Sequence, residues 1–159
     1  MGMAAHGVLA YGYHLGGDGD WELEGTGEFD EEFPADWYDD EGDFADQAMV
    51  RMLVAAGLAT HEQAAQGYWD GRDEAEQQLG VDFESTGSLD GRGHEGHILV
   101  AAGSSVRADW GEALELDVAR MNDADQLAEW DERLAWALGV LGLTPKQEGP
   151  RWLLGANWG

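Results

Sequence analysis

Two histidines in the middle of the chain have the spacing that comes closest to a metal site. His94-Glu-Gly-His97 is one residue short of the H-E-x-x-H zinc motif, and the neighbouring glycines oppose a helix that would present both imidazoles on one face. A loop could still bring both rings to a divalent cation together with a carboxylate. Surface or capping histidines are the simpler interpretation, so the sequence predicts no metal site and no cofactor.

Nucleophilic and acid–base chemistry have no clear signature in this chain. Cysteine is absent, which excludes thiolate nucleophiles, disulfides and cysteine-ligated metals. The serines lie outside any G-x-S-x-G elbow, and the glycine-rich pieces lack the lysine of a phosphate-binding loop. Because the chain has 33 acidic residues, carboxylate pairs at catalytic spacing are expected by chance. The sequence therefore names no catalytic residue.

The net charge restricts the possible partners. Eight basic residues against 33 acidic ones give a formal charge of −25. A protein that neutralises phosphates needs an excess of Lys and Arg, so direct nucleic-acid binding and binding to anionic lipid are both disfavoured. We expect a basic protein as partner. The first residues have neither the basic region nor the long apolar run of a signal peptide, so we expect a cytoplasmic location.

The acidic residues are concentrated between Asp18 and Asp46, where 14 of 29 positions are acidic and none is Lys, Arg or His. Aromatic residues are interleaved with these acids, which is not typical of a solvated acidic tail. We expect the aromatic side chains to hold this acidic segment on the fold while its carboxylates face water. The candidate partner-binding residues are Asp18, Asp20, Glu22, Glu24, Glu28, Asp30, Glu31, Glu32, Asp36, Trp37, Tyr38, Asp39, Asp40, Glu41, Asp43 and Asp46.

The hydrophobic pattern predicts the elements around this segment. Apolar runs and alternation predict strands at 6–15, 21–24, 81–84, 97–102, 106–109 and 150–154. Residues 112–116 fit either a further strand, paired around Trp110-Gly111, or a helical turn. Helical periodicity predicts helices from Asp43 to Ala56, over 61–79 after a capping box at Thr60 and Gln63, and over 123–141.

These elements together define an expected architecture. The sequence predicts a single α+β domain over residues 1–159, with a mostly antiparallel sheet and three helices packed mainly on one face. The acidic segment 18–46 is expected as a loop or sheet edge within this domain.

Both ends of the chain resemble a known family. His6–Tyr13 with Leu15–Gly17, and Ala137–Pro145 with Pro150–Leu154, are similar to small acidic proteins encoded by actinobacteria and their phages. The resemblance covers about a quarter of the chain. The resemblance implies an origin in actinobacteria or their phages, but it implies no activity and no catalytic residues.

Three functional hypotheses remain open from the sequence. In the first, the acidic segment imitates the phosphate backbone and occupies the basic groove of a DNA- or RNA-binding enzyme, such as a host defence enzyme disarmed by a phage. In the second, the chain is a small metal-dependent hydrolase or nuclease that uses carboxylates with His94 or His97. In the third, it is a non-catalytic structural protein whose acidity serves only solubility.

Overall fold

A long N-terminal strand organises the sheet. The computed structural model describes residues 5–17, 20–26, 33–87 and 96–158. The first strand pairs antiparallel with four others, and the remaining strand extends the sheet through a fifth antiparallel pairing. The strands are β1 (Ala5–Gly17), β2 (Asp20–Trp21), β3 (Val81–Thr86), β4 (Gly96–Ala101), β5 (Val106–Asp109) and β6 (Arg151–Trp158).

β4 and β5 act as one interrupted strand along β1. β4 pairs with the C-terminal half of β1, and β5 pairs with its N-terminal half. At the interruption, the buried hydroxyl of Ser104 accepts a hydrogen bond from the Tyr11 amide (3.1 Å) and donates one to the Ala101 carbonyl (2.7 Å). The serine side chain thus supplies partners where the ladder is broken, which keeps buried backbone groups satisfied.

The sheet is curled, so that β3 and β6 approach each other across it. The Asn157 side-chain amide donates to the Ser85 hydroxyl at 2.9 Å. This curl closes one face of the sheet over a small cluster of Ala10, Ile98 and Val100. Gly12 permits the tight pairing of β1 with β4, because a Cβ there would lie 1.8 Å from the Leu99 carbonyl oxygen.

Five helices occur within the described ranges, three of them longer than seven residues. The predicted α+β class with an antiparallel sheet is confirmed, whereas the prediction of three helices packed mainly on one face was wrong in helix number and packing. The helices are α1 (Phe44–Ala55), α2 (His61–Gln66), α3 (Arg72–Leu79), α4 (Val118–Met121) and α5 (Ala124–Leu141). The main core lies between the other sheet face and α1, α3 and α5.

The single helix predicted over 61–79 is two helices, α2 and α3. The predicted capping box is confirmed, with Thr60 and Gln63 satisfying each other's backbone amides. Gly67 and Gly71 adopt positive φ angles of 78° and 90°, which end one helix and precede the next. The chain turns between them, and this break places Trp69 in the core.

Residues 112–116 form neither of the two predicted elements. The turn after β5 is present, with the Glu112 amide donating to the Asp109 carbonyl at 2.9 Å. The returning chain has no strand pairing and becomes helical only at α4. The predicted edge strand at 21–24 is also shorter than expected, because pairing with β1 ends at Trp21 and Leu23 makes a single bridge to Pro145.

Candidate interaction surface

The structure describes two parts of the acidic segment, residues 20–26 and 33–46. Five of its predicted contact residues lie outside the described ranges, namely Asp18, Glu28, Asp30, Glu31 and Glu32. Of the nine other acids, Glu22 is half-buried and eight are exposed: Asp20, Glu24, Asp36, Asp39, Asp40, Glu41, Asp43 and Asp46. The described carboxylates therefore face water almost without exception.

An aromatic cluster lies beneath these carboxylates and consists of Trp21, Phe33, Trp37, Tyr38 and Phe44. Trp21 and Phe44 are buried, and the other three rings are partly buried against them. The Trp21 ring lies 4.9 Å from Phe33, edge to face, and 4.9 Å from Phe44 in a tilted arrangement; edge-to-face contact is favourable for aromatic pairs. For the described residues, the expectation that the aromatic side chains hold this segment on the fold is confirmed.

Hydrogen bonds fix the backbone of the same segment at several points. The Glu24 amide donates to the Thr144 carbonyl at 2.7 Å, and the Lys146 amide donates to the Glu22 carbonyl at 3.0 Å. Farther along, the Gln47 side chain accepts from the Asp39 amide (3.1 Å) and donates to the Asp39 carbonyl (2.9 Å). These bonds connect the carboxylate-bearing backbone to the chain after α5 and to α1.

Little positive charge compensates this surface. Within the described ranges, the segment makes one ion pair, between Asp46 and Arg72 at 2.5 Å. Burial opposes the charge on Arg72, but hydrogen bonds to Glu76 and Asp46 outweigh it and raise the pKa of the guanidinium. Asp43 caps α1 by accepting from the Asp46 amide, and the Asp39 carboxylate accepts from the Glu41 amide. Most of the other described carboxylates of the segment make no ion pair within the described residues.

Trp37 and Tyr38 were predicted to anchor a partner, and both belong to the aromatic cluster. The Trp37 indole donates to the Leu141 carbonyl at 2.7 Å, so its polar edge is engaged within the protein. The Tyr38 ring lies 5.4 Å from Phe44. Their contact with a partner stays a prediction, whereas their packing within the fold is observed.

The histidine pair is only partly described. His97 is buried, with its ring stacked on Trp21 at 6.1 Å and 4.8 Å from Phe44, so it belongs to the core rather than to the surface. His94 lies outside the described residues. Among the described residues, no group of three or more His, Asp or Glu side chains is placed to hold a metal ion.

A second exposed surface was missed by the sequence reasoning. The arm, defined as residues 110–118, exposes four large apolar side chains: Trp110, Leu114, Leu116 and Val118. The sequence predicted only a strand or a helical turn at 112–116, and said nothing of an exposed apolar surface. The charge pattern could have indicated that this segment is exposed, because residues 108–119 contain four acids and no Lys or Arg.

Comparison with known proteins gave no relative: no family model, no curated protein and no solved structure matches this chain. Among the described residues, every helix is too short or too polar to cross a membrane.

Proposed function

We propose that this chain is an acidic interaction protein that imitates nucleic acid and inhibits a DNA- or RNA-binding enzyme. The observation that supports this proposal is the combination of exposed carboxylates with a backbone held by the aromatic cluster. An acidic tail without such support would have to lose conformational freedom on binding. A surface held in place avoids much of that loss.

The mechanism is electrostatic substitution for phosphate groups. Duplex DNA carries about one negative charge per 1.7 Å of axis, and an enzyme that binds it presents Lys and Arg along a groove. In the proposed complex these cations pair with the segment's carboxylates, including Asp36, Asp40 and Glu41. Opposite charges also steer the two proteins together, so association is fast and slows as salt is added.

The resemblance of the chain ends to actinobacterial and phage proteins suggests where such an inhibitor acts. In the proposed setting, a phage-encoded protein works in the cytoplasm of a bacterial host and disarms a nuclease or another defence enzyme. A decoy of this kind needs no catalytic residue, cofactor or metal. Its activity depends on the number and placement of its charges.

The proposal is tested by capture from an actinobacterial lysate at low salt, followed by competition with duplex DNA. We expect a basic nucleic-acid enzyme to be retained and then displaced by the added DNA. The test variant carries Glu24→Gln, Asp36→Asn, Asp40→Asn and Glu41→Gln, which are exposed and whose carboxylates make no hydrogen bond or ion pair among the described residues. This variant should lose the captured enzyme.

A matched control removes the same charge elsewhere, with Asp70→Asn, Asp125→Asn, Glu132→Gln and Glu148→Gln, all at exposed positions. It should retain the enzyme, because the proposal assigns binding to the segment rather than to total charge. Equal losses in both variants, or capture of an indiscriminate mixture of basic proteins, would show that the acidity serves only solubility.

A further inference from the structure

The arm exposes more apolar surface than a solvated loop requires. Trp110 is 81% exposed and Val118 is 61% exposed, with Leu114 and Leu116 between them also exposed. Large apolar side chains that are exposed singly are ordinary on protein surfaces, but a contiguous group is typical of an interaction site. Four within nine residues of one chain segment form such a group.

The geometry of the arm is that of a half-formed hairpin. Gly111, with a φ of 81°, lies in the turn that reverses the chain after β5. β5 pairs with β1, and no pairing joins the returning residues 112–117 to β5. The arm rejoins the body at α4, where the Trp152 indole donates to the Met121 carbonyl at 3.1 Å. Both ends of the arm are therefore fixed, whereas residues 112–117 between them have no strand pairing.

A cleft of about 790 Å³ lies between the arm and the body. Leu116 and Met121 line it from the arm side, and Val106, Trp130 and Trp152 line it from the sheet and α5. Its volume is within the range of sites that enclose ligand groups or side chains. The cleft is lined by both polar and apolar side chains and lies next to the exposed side chains of the arm.

The charges around the cleft indicate the chemistry of its occupant. Four carboxylates line it, those of Glu115, Asp117, Asp123 and Glu129, together with two cations, Arg120 and Arg133. Arg133 is already paired with Glu129. The excess of negative charge favours a cationic occupant. A second copy of the chain, with its own charge of −25, is disfavoured.

We propose that the arm and this cleft form a second docking surface, which takes an extended segment of a partner protein in which Lys or Arg alternates with large apolar residues. The partner's apolar side chains pack on Leu116, Val118 and Trp152, and its cations pair with the carboxylates at the rim. β1 separates this surface from the acidic segment, because Asp109 pairs with His6 near one end and Trp21 pairs with Gly16 at the other. Ten residues of strand span roughly 33 Å. The proposal therefore stands independently of the proposed function.

The test uses three short synthetic peptides: one alternating Lys and Leu, one alternating Lys and Ser, and one alternating Glu and Leu. Binding is measured by calorimetry at moderate salt, which weakens unspecific attraction to an acidic protein. The site is located by amide chemical-shift mapping. We expect the Lys–Leu peptide to bind most tightly and to shift the amides of residues 106–121. The Lys–Ser peptide should show no preference for them.

Variants then test whether peptide binding requires the arm or any exposed apolar surface. Trp110→Ser, Leu116→Ser and Val118→Ser together should weaken Lys–Leu binding by at least about tenfold, as expected for central contact residues. The control Tyr68→Ser removes an exposed aromatic side chain elsewhere and should leave the affinity unchanged. Equal binding by the arm variant, or shifts confined to residues 20–46, would overturn the proposal. So would a wild-type dimer in sedimentation that the arm variant abolishes, because the occupant would then be a second copy.

Discussion

The indole nitrogen of Trp37 donates a hydrogen bond to the carbonyl oxygen of Leu141 at 2.7 Å. Leu141 is the last residue of α5, and the last carbonyls of a helix have no partner within it. The acidic segment thus satisfies a helix end from a position 104 residues earlier in the chain. This bond connects the charged surface to α5, the longest helix among the described residues.

Replacing Trp37 by Phe should loosen the acidic segment without unfolding the protein. The phenyl ring keeps much of the contact with Phe33 and Phe44, whereas the hydrogen bond to Leu141 is lost. We expect the free energy of unfolding to fall by about 0.5–1.5 kcal/mol, as is typical for one hydrogen bond. Amide hydrogen exchange should quicken at residues 33–43 and stay unchanged in β1 and β4. Unchanged exchange in the segment would show that the bond does not hold it.

Local sequence signals predicted two of the helices closely, α1 and α5. α5 begins after Asp123, whose carboxylate caps it, and continues to Leu141 as the leucine spacing indicated. α1 begins after Asp43 for the same reason. Capping residues and helical periodicity act over a few positions, so they can be read directly from the chain.

The curl of the sheet and the exposure of the arm could not be predicted in this way. The close approach at Gly12 depends on a carbonyl 87 residues away, at Leu99, and no local pattern specifies it. Residues 114–118 alternate apolar and acidic side chains as a strand does, but pairing requires a neighbour with a free edge in the right place. The acidic segment was easier to interpret, because its aromatic residues were themselves evidence of packing.

Ser104 offers a direct test of how the interrupted strand is stabilised. Ser104→Ala removes the side-chain partner of the buried Tyr11 amide, whereas the Ala101 carbonyl keeps its hydrogen bond from the Ser104 backbone amide at 3.1 Å. A buried backbone group left without a partner costs about 1–3 kcal/mol, so the free energy of unfolding in urea should fall by that amount. The neighbouring Ser105 is exposed, and Ser105→Ala should change stability by less than about 0.5 kcal/mol. Equal effects of the two substitutions would contradict the assigned role.

The Tyr11 hydroxyl connects β1 to α5 and should make stability depend on alkaline pH. It donates to the Asp131 carboxylate at 2.5 Å, and its ring packs between Trp130 and Trp152. Burial, followed by the hydrogen bond and the charge of Asp131, raises the pKa of Tyr11 to about 12. The phenol is therefore held in its neutral form more strongly in the folded than in the unfolded state.

The raised pKa determines the direction of the pH effect. Between about pH 10 and pH 12 the folded protein keeps a proton at Tyr11 that the unfolded chain releases, so stability is full below pH 10 and declines as the pH rises through 12. A shift of this size corresponds to about 2–3 kcal/mol. Tyr11→Phe should remove the part of this stability loss that Tyr11 causes. Burial also raises the pKa of Tyr13, so the loss of stability caused by Tyr13 should remain. Urea unfolding of both proteins at neutral and alkaline pH measures the difference, and parallel pH profiles would show that Tyr11 does not carry the effect.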